Sequence, residues 1–175
     1  YYSVDEGERG GNRYGLNISW LRQFNRKGHE LTSHINYGKR DGEEFSINEL
    51  RTLELVKTEG LRSDETGPST DLRFKLDYTR PFENESKFEA GFQSRLDNST
   101  DNTSLSQYNI GSGQYDVLPE YSRSTTYRRT THSVYTIYGG KIGNLGAQTG
   151  IRGEYTDRIV ELNGAGENAS INRWD

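Results

Sequence analysis

The sequence has no cysteine among its 175 residues. That excludes a disulfide framework, a thiolate metal site and a cysteine nucleophile. It neither requires nor excludes an oxidising compartment. No apolar run approaches the ~18 residues of a membrane-crossing helix, and no signal peptide is visible. This says nothing against membrane strands, whose signal is alternation over about 10 residues. Hydrophobic residues are scarce, at 30% against a usual ~45–50% on a count that includes glycine. The 20 glycines do not close the gap. Positive charge is not in excess either. A net charge of -4 is not the basic footprint of a nucleic-acid binder, so no nucleic-acid partner is expected. The chain is long enough for one domain with a real core. It starts at Tyr1 rather than at a methionine and ends on Asp175 in a polar stretch, which reads as a fragment or a processed segment.

What is present is alternation, and it rules out simple disorder. Leu72, Phe74, Leu76 and Tyr78 share one side of an extended stretch, and Arg73, Lys75, Asp77 and Thr79 share the other. After the turn Pro81 to Glu85, Phe88, Ala90, Phe92 and Leu96 oppose Glu89, Gly91, Gln93 and Arg95. Successive strand side chains point to opposite faces, so this is a hairpin with one apolar and one charged face. Tyr14, Leu16, Ile18 and Trp20 lead through a turn at Asn25 to Gly28 into Leu31, Ser33, Ile35 and Tyr37, a second hairpin. Gly28 suits a positive φ there. Val134, Tyr135, Ile137 and Tyr138, a turn at Gly143-Asn144, then Leu145, Ala147, Thr149, Ile151 and Tyr155 form a third.

The pattern predicts an all-β, antiparallel up-and-down meander. Its hairpins span 12–37, 70–97 and 130–156, and 1–175 is expected to be part of one β-barrel domain, a segment of a transmembrane outer-membrane barrel. Long polar loops are expected at 38–69, 98–129 and 157–175. Phe45 to Lys57 fits neither period cleanly and is read as a strand or hairpin extension. Tyr108, Tyr115, Val117 and Tyr121 are candidates for short local strands. The alternating runs are ~10–13 residues long, whereas soluble strands average ~5–6 and membrane strands need ~9–11. Tight turns near Arg26, Asn84 and Asn144 alternate with long connections. That is the layout of a transmembrane outer-membrane barrel, with periplasmic turns and extracellular loops. Trp20, Phe24, Tyr78, Phe82 and Tyr138 gather near the tight turns, where apolar meets wet.

Chemistry-bearing motifs are weak. Gly164-Ala165-Gly166-Glu167-Asn168-Ala169 has the spacing of a dinucleotide fingerprint but too little chain after it for the required helix. Gly140-Lys141 is followed by Ile142 and makes no Walker loop. His29, His34 and His132 lack paired ligand spacing and read as turn or polar-face residues. Asp97, Asp101 and Asn102 offer oxygens but no calcium-loop spacing. Glu43-Glu44 has no protected setting for acid–base work. No enzyme activity, cofactor or metal is expected. The ligand-binding candidates are the polar-face residues Arg73, Lys75, Arg95, Arg152 and Glu154, which would line a lumen.

Several phrases also carry a likeness. Lys27-Gly28-His29-Glu30-Leu31-Thr32, Leu76-Asp77-Tyr78-Thr79-Arg80-Pro81-Phe82, Lys87-Phe88-Glu89-Ala90-Gly91, Tyr138-Gly139-Gly140-Lys141-Ile142-Gly143 and Gly150-Ile151-Arg152-Gly153-Glu154-Tyr155-Thr156 resemble barrel segments of the outer-membrane β-barrel proteins related to TonB-dependent receptors. The resemblance covers most of 12–156 outside the long polar stretches. It implies residence in the outer membrane of a Gram-negative bacterium and a part in the wall of a receptor or transporter that binds and takes up a ligand. It implies outer-membrane lipid, the remainder of the barrel, a plug domain and a TonB-type energising protein as partners. A soluble all-β binding module, carbohydrate-directed through its tyrosines, and an adhesin-type barrel are the other readings that the pattern leaves open.

Overall fold

The computed structural model describes residues 1–83, 85–143, 145–164 and 168–174. Among them nine strands form one antiparallel sheet. They are β1 (Tyr2–Gln23), β2 (Glu30–Arg51), β3 (Lys57–Thr66), β4 (Ser69–Pro81), β5 (Lys87–Asn109), β6 (Gln114–Val117), β7 (Arg123–Ile142), β8 (Leu145–Gly164) and β9 (Asn168–Trp174). The only described helical piece is a single 3-10 turn at Pro119–Tyr121.

β3 and β4 act as one strand. Thr66 pairs with Glu43 and Ser69 with Arg40 in a single unbroken register along β2. Pro68 has no N–H to give the ladder, which explains the gap. Its carbonyl still accepts from the Thr100 N–H at 3.0 Å, and the Gly67 N–H still reaches the Gly42 carbonyl at 2.8 Å. The chain therefore runs up and down as a meander, with consecutive long strands paired side by side. β6 is a short return that pairs with the end of β5.

The expected hairpins are present, each inside a longer one. Gly28 has a φ of 77° in its turn, as its position predicted. The turn residues Asn84 and Asn144 lie outside the described residues. The stretches expected as long polar loops are instead mostly strand. β2 continues through 38–51, and a short turn joins it to β3. β5 runs on to Asn109, and β8 to Gly164. At about 3.3 Å per residue, the 22 residues of β1 far exceed what a bilayer needs. The outer parts of the long strands β1, β2, β5, β7 and β8 extend beyond that height. There the apolar alternation disappears while the backbone ladder persists, so composition alone resembles a loop.

Register assigns the faces. Residues directly opposite on neighbouring antiparallel strands share a face. One row runs Ile18, Ile35, Phe74, Ser94, His132, Tyr155 across the sheet, and the next runs Trp20, Ser33, Leu76, Phe92, Val134, Gly153. This apolar band carries no charged residue from the Leu16 row to the Trp20 row, apart from Asp157 at its upper rim. Nothing covers it. Among the described residues no hydrophobic side chain is buried, and Leu16, Ile18, Leu96, Val134 and Ile151 are all exposed. A sandwich would bury this face on a second sheet. In water it would be a patch that soluble monomers rarely tolerate, so its solvent is lipid.

Candidate functional site on the polar inner wall

The opposite face is mainly polar, although it includes apolar residues such as Leu21 and Ile137, and register stacks it in rows. One row is Leu21, Thr32, Asp77, Gly91, Tyr135, Arg152. The next is Ser19, His34, Lys75, Gln93, Ser133, Glu154. Above it lie Asn17, Asn36, Arg73, Arg95, Thr131 and Thr156, and above those Gly38, Asp71, Asp97, Arg129 and Arg158. All five candidate residues therefore share this wall. The first three cluster on β4 and β5, and Arg152 and Glu154 stand on the β8 side.

Ion pairs run along the strands, because residues two apart share a face. Lys75 lies 2.8 Å from Asp77, Arg95 2.9 Å from Asp97, and Arg152 2.7 Å from Glu154. Asp97 also takes Arg129 from the next strand at 2.7 Å. Ser19 Oγ and His34 Nδ1 are 2.9 Å apart, and the Thr131 and Thr156 hydroxyls 3.2 Å. Asp101 is on this wall, but its neighbour Asn102 points outward and bonds Thr66 and Ser124. The three oxygens weighed for calcium do not converge.

Two residues that organise the wall escaped the sequence reading. The Tyr135 hydroxyl donates to Asp77 Oδ1 at 2.6 Å. Gly91 lies between them in the row, and any Cβ there would collide with the Tyr135 ring. Arg129 is the other. β7 hid both, because its outward residues Thr130, His132 and Thr136 are only weakly apolar and its two faces look alike in sequence. His132, expected on a polar face or in a turn, instead points outward and stacks on Phe92 at 6.3 Å. Lys75, Glu89, Gln93, Tyr135 and Arg152 line a hollow of about 680 Å³ on the wall.

A model describing the outer membrane protein beta-barrel family matches residues 22–175. The chain belongs to this family. No curated protein matches the sequence. As a member of this β-barrel family, the chain sits in the outer membrane of a Gram-negative bacterium. The family gives the two faces their surroundings, with lipid against the apolar band and the lumen against the polar wall.

Beyond the band, the strand extensions of this barrel protein carry a second cluster, on the outer face. Glu49 is buried, and Arg51 Nε and the Tyr115 hydroxyl each donate to it at 2.9 Å, while Lys57 pairs with it as well. The Lys57 ammonium also lies 4.7 Å and 4.9 Å from the ring centres of Tyr108 and Tyr115. Gly60 separates Glu49 from Tyr108 in this row, and a Cβ there would meet the Tyr115 hydroxyl. The acid–glycine–tyrosine arrangement of the wall is thus repeated, and it pins the β5–β6 hairpin to the β2–β3 hairpin. Burial opposes the charge on Glu49, but the Lys57, Arg51 and Tyr115 donors outweigh it and hold the carboxyl at about 2. Glu49 in turn raises Lys57 above its ordinary value, against the burial of that ammonium.

Proposed function

We propose that the chain forms part of the barrel wall of an outer-membrane receptor of the TonB-dependent kind, which binds a ligand and takes it up. The observation that carries this reading is the inner wall itself. It presents rows of charged and hydrogen-bonding side chains across the sheet, where a small filled barrel would pack interior side chains against each other. A wide lumen leaves such side chains facing water, a plug or a ligand. The long strand extensions support a surface receptor, since they carry hairpins well beyond the lipid band.

On this reading the chain is not an enzyme. Its partners are outer-membrane lipid on the apolar face, the rest of the barrel at its edges, a plug domain in the lumen and a TonB-type energising protein. The test is genetic. A strain lacking the full gene is grown with one scarce nutrient at a time, including chelated iron, vitamins and oligosaccharides. The expected result is a defect for one nutrient, reproduced by deleting the energising protein. A strain with every uptake normal and surface attachment lost would replace the receptor with an adhesin.

A further inference from the structure

Arg73 and Arg95 stand directly opposite each other on β4 and β5. Like charges in that position are destabilising. The neighbouring acids relieve only one of the two. Asp97 bonds Arg95, but it also holds Arg129, so one carboxylate serves two guanidiniums. Asp77 is engaged by Lys75 and Tyr135. Asp71, two residues from Arg73, lies over Gly38 on β2, where its carboxylate fills the space of a Cβ. Among the described residues no carboxylate pairs with Arg73, which is exposed on the wall.

The cross-strand neighbours that flank the pair are neutral and able to hydrogen-bond. Asn36 pairs with Arg73 from β2, and Thr131 pairs with Arg95 from β7. Lys75 and Gln93 come next along the same two strands and are paired with each other. They lead into the hollow lined by Glu89, Tyr135 and Arg152. We infer that Arg73 and Arg95 form an oxyanion subsite, which holds a carboxylate or phosphate group of a small-molecule ligand whose body extends into that hollow, where Ile137, Ile151 and the Tyr135 ring offer apolar surface. The inference rests on the reading of this wall as the ligand's path. A bound oxyanion turns the repulsion into charge-assisted hydrogen bonds, and two planar guanidinium forks suit its geometry. The hollow, at about 680 Å³, is of the size that holds small molecules.

The test uses the full-length protein purified in detergent and titrated calorimetrically with citrate, with inorganic phosphate and with glucose. Citrate or phosphate is expected to bind, more weakly as salt rises, and glucose to give no comparable heat. Arg73→Gln should lower anion affinity by roughly tenfold or more, the worth of a charged hydrogen bond. Arg128→Gln removes the same charge from the outer face and should leave affinity unchanged. The thermal stability of Arg73→Gln should hold or rise, because the repulsion is gone. A purely structural Arg73 would instead lower it and leave anion affinity intact, and that result overturns the subsite. No anion binding by the wild type overturns it too, as does an equal loss in Arg128→Gln. A nutrient-uptake defect without anion binding would remove the subsite and leave import standing. Anion binding at Arg73 in a protein that imports nothing would remove import and leave the subsite.

Discussion

The Tyr135 hydroxyl reaches Asp77 at 2.6 Å by crossing the strand that lies between them. It can do so because the residue in between is Gly91. A Cβ at that position would fall on the Tyr135 ring edge. The relationship ties β4, β5 and β7 together in one row, where the backbone ladder joins them only pairwise.

Gly91→Ala should therefore destabilise the barrel by about 1–3 kcal/mol, the usual cost of forcing atoms into a filled space. Tyr135→Phe should cost about 1 kcal/mol, because the Asp77 carboxylate keeps Lys75. The double variant Gly91→Ala with Tyr135→Ala should recover much of the alanine's cost. Urea unfolding of the full-length protein in lipid, followed by tryptophan fluorescence, measures all three. Equal cost for Gly91→Ala with and without the tyrosine would show that the ring is not what the glycine accommodates.

The two faces of β4 should respond in opposite ways to charge. Phe74 lies in the uncharged band, between Ile35 and Ser94. Phe74→Arg should cost about 2–4 kcal/mol if the residue sits near the bilayer midplane. Lys75→Ala, one residue away on the wet wall, should cost much less. The same unfolding experiment in lipid checks the pair, and equal sensitivity at both positions would contradict the assignment of faces.

The Glu49 cluster should make the upper hairpins pH-sensitive in one direction. The folded carboxyl titrates at about 2, below the ~4.3 of a free glutamate. A depressed folded value stabilises fully above the unfolded one and progressively less as pH falls through the folded one. The hairpin contact should hold from neutral pH to about 4–5 and loosen below, with the change centred between ~4.3 and ~2. Hydrogen exchange of 105–118 at stepped pH measures this. In Glu49→Gln the hairpin should exchange faster at pH 7 and lose the acid dependence. Unchanged protection of wild type down to pH 2 would mean that other contacts hold the hairpin.

The lipid-facing part of the fold was legible in the sequence because one face of each strand there is apolar and the other polar. Leu72, Phe74 and Leu76 against Arg73, Lys75 and Asp77 can be read without coordinates. The strand extensions were not legible. In Glu43 to Arg51 and Asn98 to Asn109 charged and polar residues occupy both faces, so the apolar period is too weak to read, although the backbone pairing is the same. The candidate site was half legible for a related reason. Alternation places Arg73, Lys75 and Arg95 on one wall, but it cannot show that Arg73 faces Arg95, that Asp97 is shared with Arg129, or that Tyr135 crosses Gly91. Those depend on register between strands, which turn geometry and the whole sheet fix together.

The last prediction concerns the edges of the sheet. Among the described residues β1 is paired with β2 on one side only, and the stretch of β8 from Leu145 to Thr156 is paired only with β7. Both edges pass through the apolar band, at Leu16 to Trp20 and at Gly153 to Tyr155. In lipid each unpaired backbone group costs several kcal/mol, which is why membrane sheets close into barrels. In water the apolar band is exposed as well, and a long unpaired edge is a template for another chain. The 175-residue chain expressed by itself should thus aggregate, pair its edges with further copies or require detergent. Light scattering with size-exclusion chromatography in detergent-free buffer decides this. A stable, monodisperse monomer there would show that the sheet closes or covers its apolar face unaided, and the wall of a larger barrel would no longer describe it.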